Sequence, residues 1–231
     1  MSTPTYGRTA AATEVDARAA FITRTYLHLF GAIFAFTGIE VLLFQAGLAL
    51  PIARSMMGVS WLWILGGFVL VSWMASRAAH TATSPAAQYA ALAGFVAAEA
   101  VIFVPLLYVA QAYAPGVIQS AALVTLLGFT GLTVVVFTTR KDFSFLGAVL
   151  RWSGVVALVL IVAGVLFGFQ LGTFFSVAMI GLAGGSILYD TSNVLHRYPR
   201  DRHVAAALEL FASVALLFWY VLRLFLSGRR S

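Results

Sequence analysis

Cysteine is absent from the 231 residues, which excludes disulfides and thiolate metal sites. Lysine is nearly absent as well: Lys141 stands alone, so arginine carries the positive charge. Charged residues make up only 10% of the chain, against 61% hydrophobic. A soluble domain needs far more polar surface than that, so lipid must serve as part of the solvent. The histidines His28, His80, His196 and His203 lack zinc-site spacing. No nucleophile–base pairing or phosphate-binding loop is present. An intramembrane aspartyl protease needs two aspartates in helices, and only Asp190 lies in one. The sequence therefore reads as a non-enzyme with no resident cofactor.

A formal charge of +6 is compatible with a nucleic-acid partner, but its distribution is not. The basic residues sit in short loops between apolar runs, the pattern that orients membrane proteins. A spanning helix needs about 20 apolar residues. Seven such runs occur, near Tyr26–Leu50, Ser60–Ala78, Ala86–Gln111, Val117–Thr138, Leu146–Phe169, Gly172–Leu195 and Val204–Leu226. Pro51 with Arg54, Ser84-Pro85, Pro115-Gly116 and Arg140-Lys141-Asp142 punctuate the breaks. The fold class expected is an all-α integral membrane protein, a seven-helix bundle of one domain, a single copy the default state. Residues 1–24 read as a disordered cytoplasmic tail with no cleavable signal peptide, 25–226 as the bundle, and 227–231 as a short tail. With the N-terminus in the cytoplasm, most basic residues fall inside, while Arg54, Arg223, Arg229 and Arg230 fall outside. The last run is long enough to cross the bilayer. An arginine- and alanine-rich, lysine-poor chain of this kind suits a bacterial inner membrane.

Carboxylates within a bilayer are costly and face the bundle interior. Four are expected there: Glu40, Glu99, Asp190 and Glu209. Asp190 and Glu209 lie at similar depth on the last hairpin. Ser186, Asp190 and Asn193 share one helix face, and Glu209 and Ser213 another. Arg77, at the inner end of the second run, has the depth to pair with either acid. Glu40 and Glu99 both fall roughly 20 Å from the inner ends of their helices. Two acidic layers aligned in one interior form a path for a cation or proton. Each acid also has a plainer reading, as a protonated group bonded within the fold, and Glu209 as a first-turn acid that favours the helix dipole.

The stretches Thr138-Thr139-Arg140-Lys141-Asp142-Phe143-Ser144-Phe145-Leu146-Gly147 and Ile187-Leu188-Tyr189-Asp190-Thr191-Ser192-Asn193 resemble the Bax inhibitor-1 family, above all its bacterial, YccA-like branch. The resemblance implies seven helices with the last one central. It also implies a pH-sensitive calcium leak or, in the YccA-like branch, modulation of a membrane-bound AAA protease. In calcium-leak members two aspartates, one on each of the last two helices, share a proton and gate the pore beside an arginine. Asp190 matches the first. The family's Leu-Tyr-Leu-Asp reads Leu210-Phe211-Ala212-Ser213 here, so serine replaces the second. Glu209, one turn away, is the candidate substitute. The resemblance points to Asp190, Glu209, Ser213 and Arg77, and the depths of Glu99 and Glu40 in their helices add these two to the ion- or proton-sensing set. Asp190 and Glu209 are the transient calcium ligands, and calcium is the transported or sensed species.

Overall fold

The computed structural model describes the backbone of residues 6–228 and the side chains of residues 14–228. Among the described residues the chain is all helical: α1 (Tyr6–Gln45), α2 (Ala49–Met57), α3 (Trp61–Thr81), α4 (Pro85–Tyr113), α5 (Val117–Thr139), α6 (Leu146–Phe167), α7 (Thr173–His196) and α8 (His203–Gly228). All but α2 are long and apolar enough to cross a membrane. The breaks have local causes. Pro85, whose missing N–H costs nothing in a first turn, opens α4. Gly47, Gly116 and Gly168 take left-handed backbone angles at the ends of α1 and α6 and before α5.

Two expectations need correction. The first apolar run does not continue to Leu50. It ends at Gln45, and Ala49–Met57 forms the separate helix α2, with Pro51 in its first turn. Nor is the segment before Arg24 a disordered tail. From Tyr6 onward it is helical and continuous with the first span. Phe21 is buried, and Arg18 donates to the carbonyls of Leu195 (2.9 Å), in the last turn of α7, and of Tyr198 (2.7 Å), just beyond it. Residues 1–5 and 229–231, including Arg229 and Arg230, lie outside the described residues.

Most of α8 is buried. It packs on α1, α3, α4, α5 and α7, so a helix with apolar residues all round finds protein on nearly every side. α6 stands outside this ring, packed mainly on α7. Ala157, Met179 and Tyr220 form a small cluster that spans α6, α7 and α8. At 26 residues α8 is about 39 Å long by its rise, a full crossing. Near its far end Arg223 donates to the Leu171 carbonyl at 2.8 Å.

The bundle has a basic end, carrying Arg140, Lys141 and the α7–α8 loop, and an opposite end, carrying α2 and the turns at Gly116 and Gly168. α1 and α5 flank α8 without packing their backbones on each other.

Candidate functional site

Near the basic end, α7 and α8 bring together the two halves of one site. Asp190 is 9% exposed, and its Oδ2 accepts a hydrogen bond from Ser213 Oγ at 2.6 Å. Helical spacing explains the pairing: Ser213 lies one turn beyond Glu209 on α8 and looks onto the face of α7 that carries Asp190. Glu209 and Asp190 are close enough for their charges to interact.

Glu209 finds its partners on α3. Its Oε1 accepts from Ser76 Oγ at 2.6 Å, and His80 Nδ1 lies 3.7 Å from the same oxygen. His80 Nδ1 is also 2.8 Å from the Ser76 carbonyl. A carbonyl only accepts, so Nδ1 carries the proton. In the neutral ring Nε2 is then the acceptor, and Tyr198 OH donates to it at 3.3 Å. Burial, followed by the charges of Glu209 and Asp190, raises the Tyr198 phenol well above its ordinary value. Polar groups thus run from Ser76 and Glu209 through His80 to Tyr198 at the basic end.

Arg77 does not join this cluster. It is exposed, with its guanidinium over the Trp73 ring at 5.5 Å, and no ion pair links it to Asp190 or Glu209 among the described residues. Its neighbour Ser76 reaches Glu209, and one residue along a helix turns the side chain by about 100°. Ser76 and His80, four residues apart on the inward face, occupy the place expected of Arg77.

The other two acids are buried as well. Glu40 on α1 and Glu99 on α4 are each 6% exposed. Glu40 lines a cavity of about 390 Å³, and Glu99 is not among its lining residues. No three histidine, aspartate or glutamate side chains converge as a metal site among the described residues.

The loop between α5 and α6 is docked. Asp142 accepts from the Ser144 backbone N–H and from Arg197, both at 2.9 Å. Arg197 also donates to Ser144 Oγ at 2.6 Å, and Phe143 N–H donates to Ser192 Oγ at 2.9 Å. The backbone hydrogen bond from Ser144, then the bond from Arg197, hold the Asp142 carboxyl down at about 2. Asp142 thus ties the loop to the end of α7. A second group unseen in the sequence joins His28 Nε2 to Tyr89 OH (3.0 Å) and Tyr89 OH to His203 Nε2 (3.5 Å). These side chains come from three helices, so spacing along the chain held no signal for them.

The fold and this cluster define an integral membrane bundle with a buried and a half-buried acid among its last two helices and α3. The family model described as "Inhibitor of apoptosis-promoting Bax1" matches residues 18–230, and the chain belongs to the Bax inhibitor-1 family. Similar proteins include an uncharacterised protein of Pseudomonas aeruginosa, 35% identical over 112 residues, 47% of this chain and 49% of that one. Bax inhibitor 1 of Schizosaccharomyces pombe is 34% identical over 116 residues, 47% of this chain and 41% of that one. The modulator of FtsH protease YccA of Escherichia coli K12 is 35% identical over 95 residues, 41% of this chain and 43% of that one. The chain thus spans less than half the length of these relatives.

Proposed function

We propose that this protein is a proton-responsive cation leak of the bacterial inner membrane, with Asp190 as its controlling acid and calcium as the transported or sensed ion. The observation that carries the reading is the 2.6 Å hydrogen bond from Ser213 to buried Asp190. An isolated buried carboxyl gains from a hydrogen-bond donor and stays sensitive to its protonation state. Ser213 supplies a donor but no second charge, so a divalent ion at Asp190 meets one carboxylate fewer than in a paired-aspartate site. Glu209, bonded to Ser76, is the nearest further carboxylate on offer. Calcium takes six to eight oxygen ligands, so two such acids suit a passing ion and not a resident one. The basic end faces the cytoplasm on this reading, because short loops rich in arginine are retained there. Calcium flux into proteoliposomes, with wild type against Asp190→Asn, tests it.

The second reading is a regulator of a membrane-bound AAA protease. The Escherichia coli relative described as a modulator of FtsH protease favours it. The docked basic end supports it too. Arg18, Asp142, Ser144, Arg197 and Tyr198 hold the loops in one arrangement, and a pre-ordered surface binds a partner at lower entropic cost. Co-purification of a tagged copy with such a protease, lost in Arg197→Gln, tests this reading.

A further inference from the structure

The gap between α1 and α5 is closed at one end only. Toward the basic end Tyr26 on α1 spans it, with ring centroids 6.4 Å from Phe129 and 5.9 Å from Phe137 on α5. Toward the opposite end the space holds the cavity of about 390 Å³, floored by α8. That volume suits a small organic molecule. Val41 and Leu126, 47% and 43% exposed, stand at its lipid side.

The lining has an unusual chemical composition. Phe36, Phe44, Phe211 and Phe218 contribute four aromatic rings, and no arginine, lysine or histidine is present. Glu40 is the single ionisable group, and neither of its buried carboxyl oxygens has a hydrogen-bond partner. Thr125, 3% exposed, also leaves its hydroxyl without one. A buried polar atom left unpaired costs about 1–3 kcal/mol. No hydrogen bond fixes the Glu40 carboxyl, so its side chain can turn toward the cavity.

Several occupants fail against this lining. A hydrocarbon leaves Glu40 and Thr125 unpaired. An anion meets a carboxyl with no compensating cation. A mineral cation such as calcium wants six to eight oxygens, and the walls are chiefly apolar. An organic ammonium satisfies each requirement. Its N–H groups donate to Glu40 and Thr125, its charge lies among aromatic faces, and its apolar body fills the rest. We infer that this cavity binds a small apolar amine, as its ammonium ion, with Glu40 as the counter-charge. The ligand enters from the lipid between Val41 and Leu126. The site is separate from Asp190 and stands or falls independently of ion conduction.

The test uses the full chain in phosphatidylcholine nanodiscs, with radiolabelled phenethylamine as the probe and phenethyl alcohol as its neutral isostere. Binding to empty nanodiscs is subtracted. Wild type retains the amine over the alcohol by roughly 10- to 100-fold, the range for a hydrogen bond to a charged group. Glu40→Gln erases that preference, and Ala122→Trp, which fills the cavity from α5, removes saturable binding of both. Millimolar calcium chloride does not displace the amine. Equal retention of amine and alcohol by wild type overturns the inference. So does an unchanged preference in Glu40→Gln, undiminished binding in Ala122→Trp, or displacement by calcium. If Glu40→Gln does not fold, the wild-type comparison and Ala122→Trp decide.

Discussion

Ser213 on α8 donates a hydrogen bond to Asp190 on α7 at 2.6 Å, across the most extensively packed helix pair in the bundle. On the family resemblance, the bond joins the aspartate that matches the family motif to the serine that stands where calcium-leak members carry a second one. Ser213→Ala leaves the buried carboxyl without this donor and is expected to destabilise the protein by about 1–3 kcal/mol. Thermal unfolding in detergent measures the loss. An unchanged melting temperature contradicts the structural role of this bond.

The docking of the α5–α6 loop should not respond to pH in the physiological range. The Asp142 carboxyl is held at about 2, below its ordinary 3.8. A depressed pKa contributes stability that is complete above the unfolded value and is lost as pH falls through the folded one. The Asp142–Arg197 tie therefore persists unchanged from about pH 5 to 8 and weakens only toward about 2. Hydrogen exchange at the Phe143 and Ser144 amides, corrected for intrinsic rates, reads it. Protection should stay constant over that range and fall in Arg197→Gln. Loosening of the wild-type loop between neutral and mildly acidic pH contradicts the assignment.

Gly147 at the start of α6 has no room for a side chain. A Cβ there lies 2.8 Å from Tyr189 Cε2 and 3.1 Å from its hydroxyl. Gly147→Ala must push the ring off its place on α7, next to Asp190, and should cost about 1–3 kcal/mol. Gly154→Ala, a turn or two along, meets nothing within 4 Å and should be neutral or stabilising by up to about 1 kcal/mol. Melting temperatures of the two variants in parallel check the contrast, and equal effects contradict it.

Orientation is testable because the chain has no cysteine. Lys141→Cys should resist a membrane-impermeant maleimide added to intact cells, and Arg54→Cys should label. Rapid labelling at 141 inverts the assignment of the basic end.

The spans were legible because apolar runs of membrane length admit few other structures. What hydropathy cannot resolve is a helix too short to span. Ala49–Met57 begins beside Pro51 and carries Arg54, so it reads as the end of a run and not as an element. Residues 6–24 were misread for a related reason: hydropathy registers their charges but not their alanine-rich helix propensity. At the site, the Asp190–Ser213 pair was visible through the family pattern, whereas Arg77 was placed by depth alone. Depth does not give the angle around a helix axis. Ser76, next to Arg77, points at Glu209, and Arg77 turns away onto Trp73. Glu40 and Glu99 share a depth estimate and a burial, yet only Glu40 lines the cavity beside α5. His80 and Tyr198 lay beyond sequence reasoning because their partners come from other helices and a loop.

The proposed role of Asp190 and Ser213 in ion passage is tested most directly by calcium-dye flux in proteoliposomes across about pH 5 to 8. Serine at 213 supplies a hydrogen-bond donor where a second carboxyl would supply charge and share a proton. Wild type should therefore show modest flux with a shallow dependence on acid. Ser213→Asp should strengthen both, and Asp190→Asn should abolish what wild type has. Strong wild-type flux left unchanged by Ser213→Asp contradicts the account and moves the second charge to Glu209. No flux from either protein contradicts ion passage itself and leaves the protease-modulator reading.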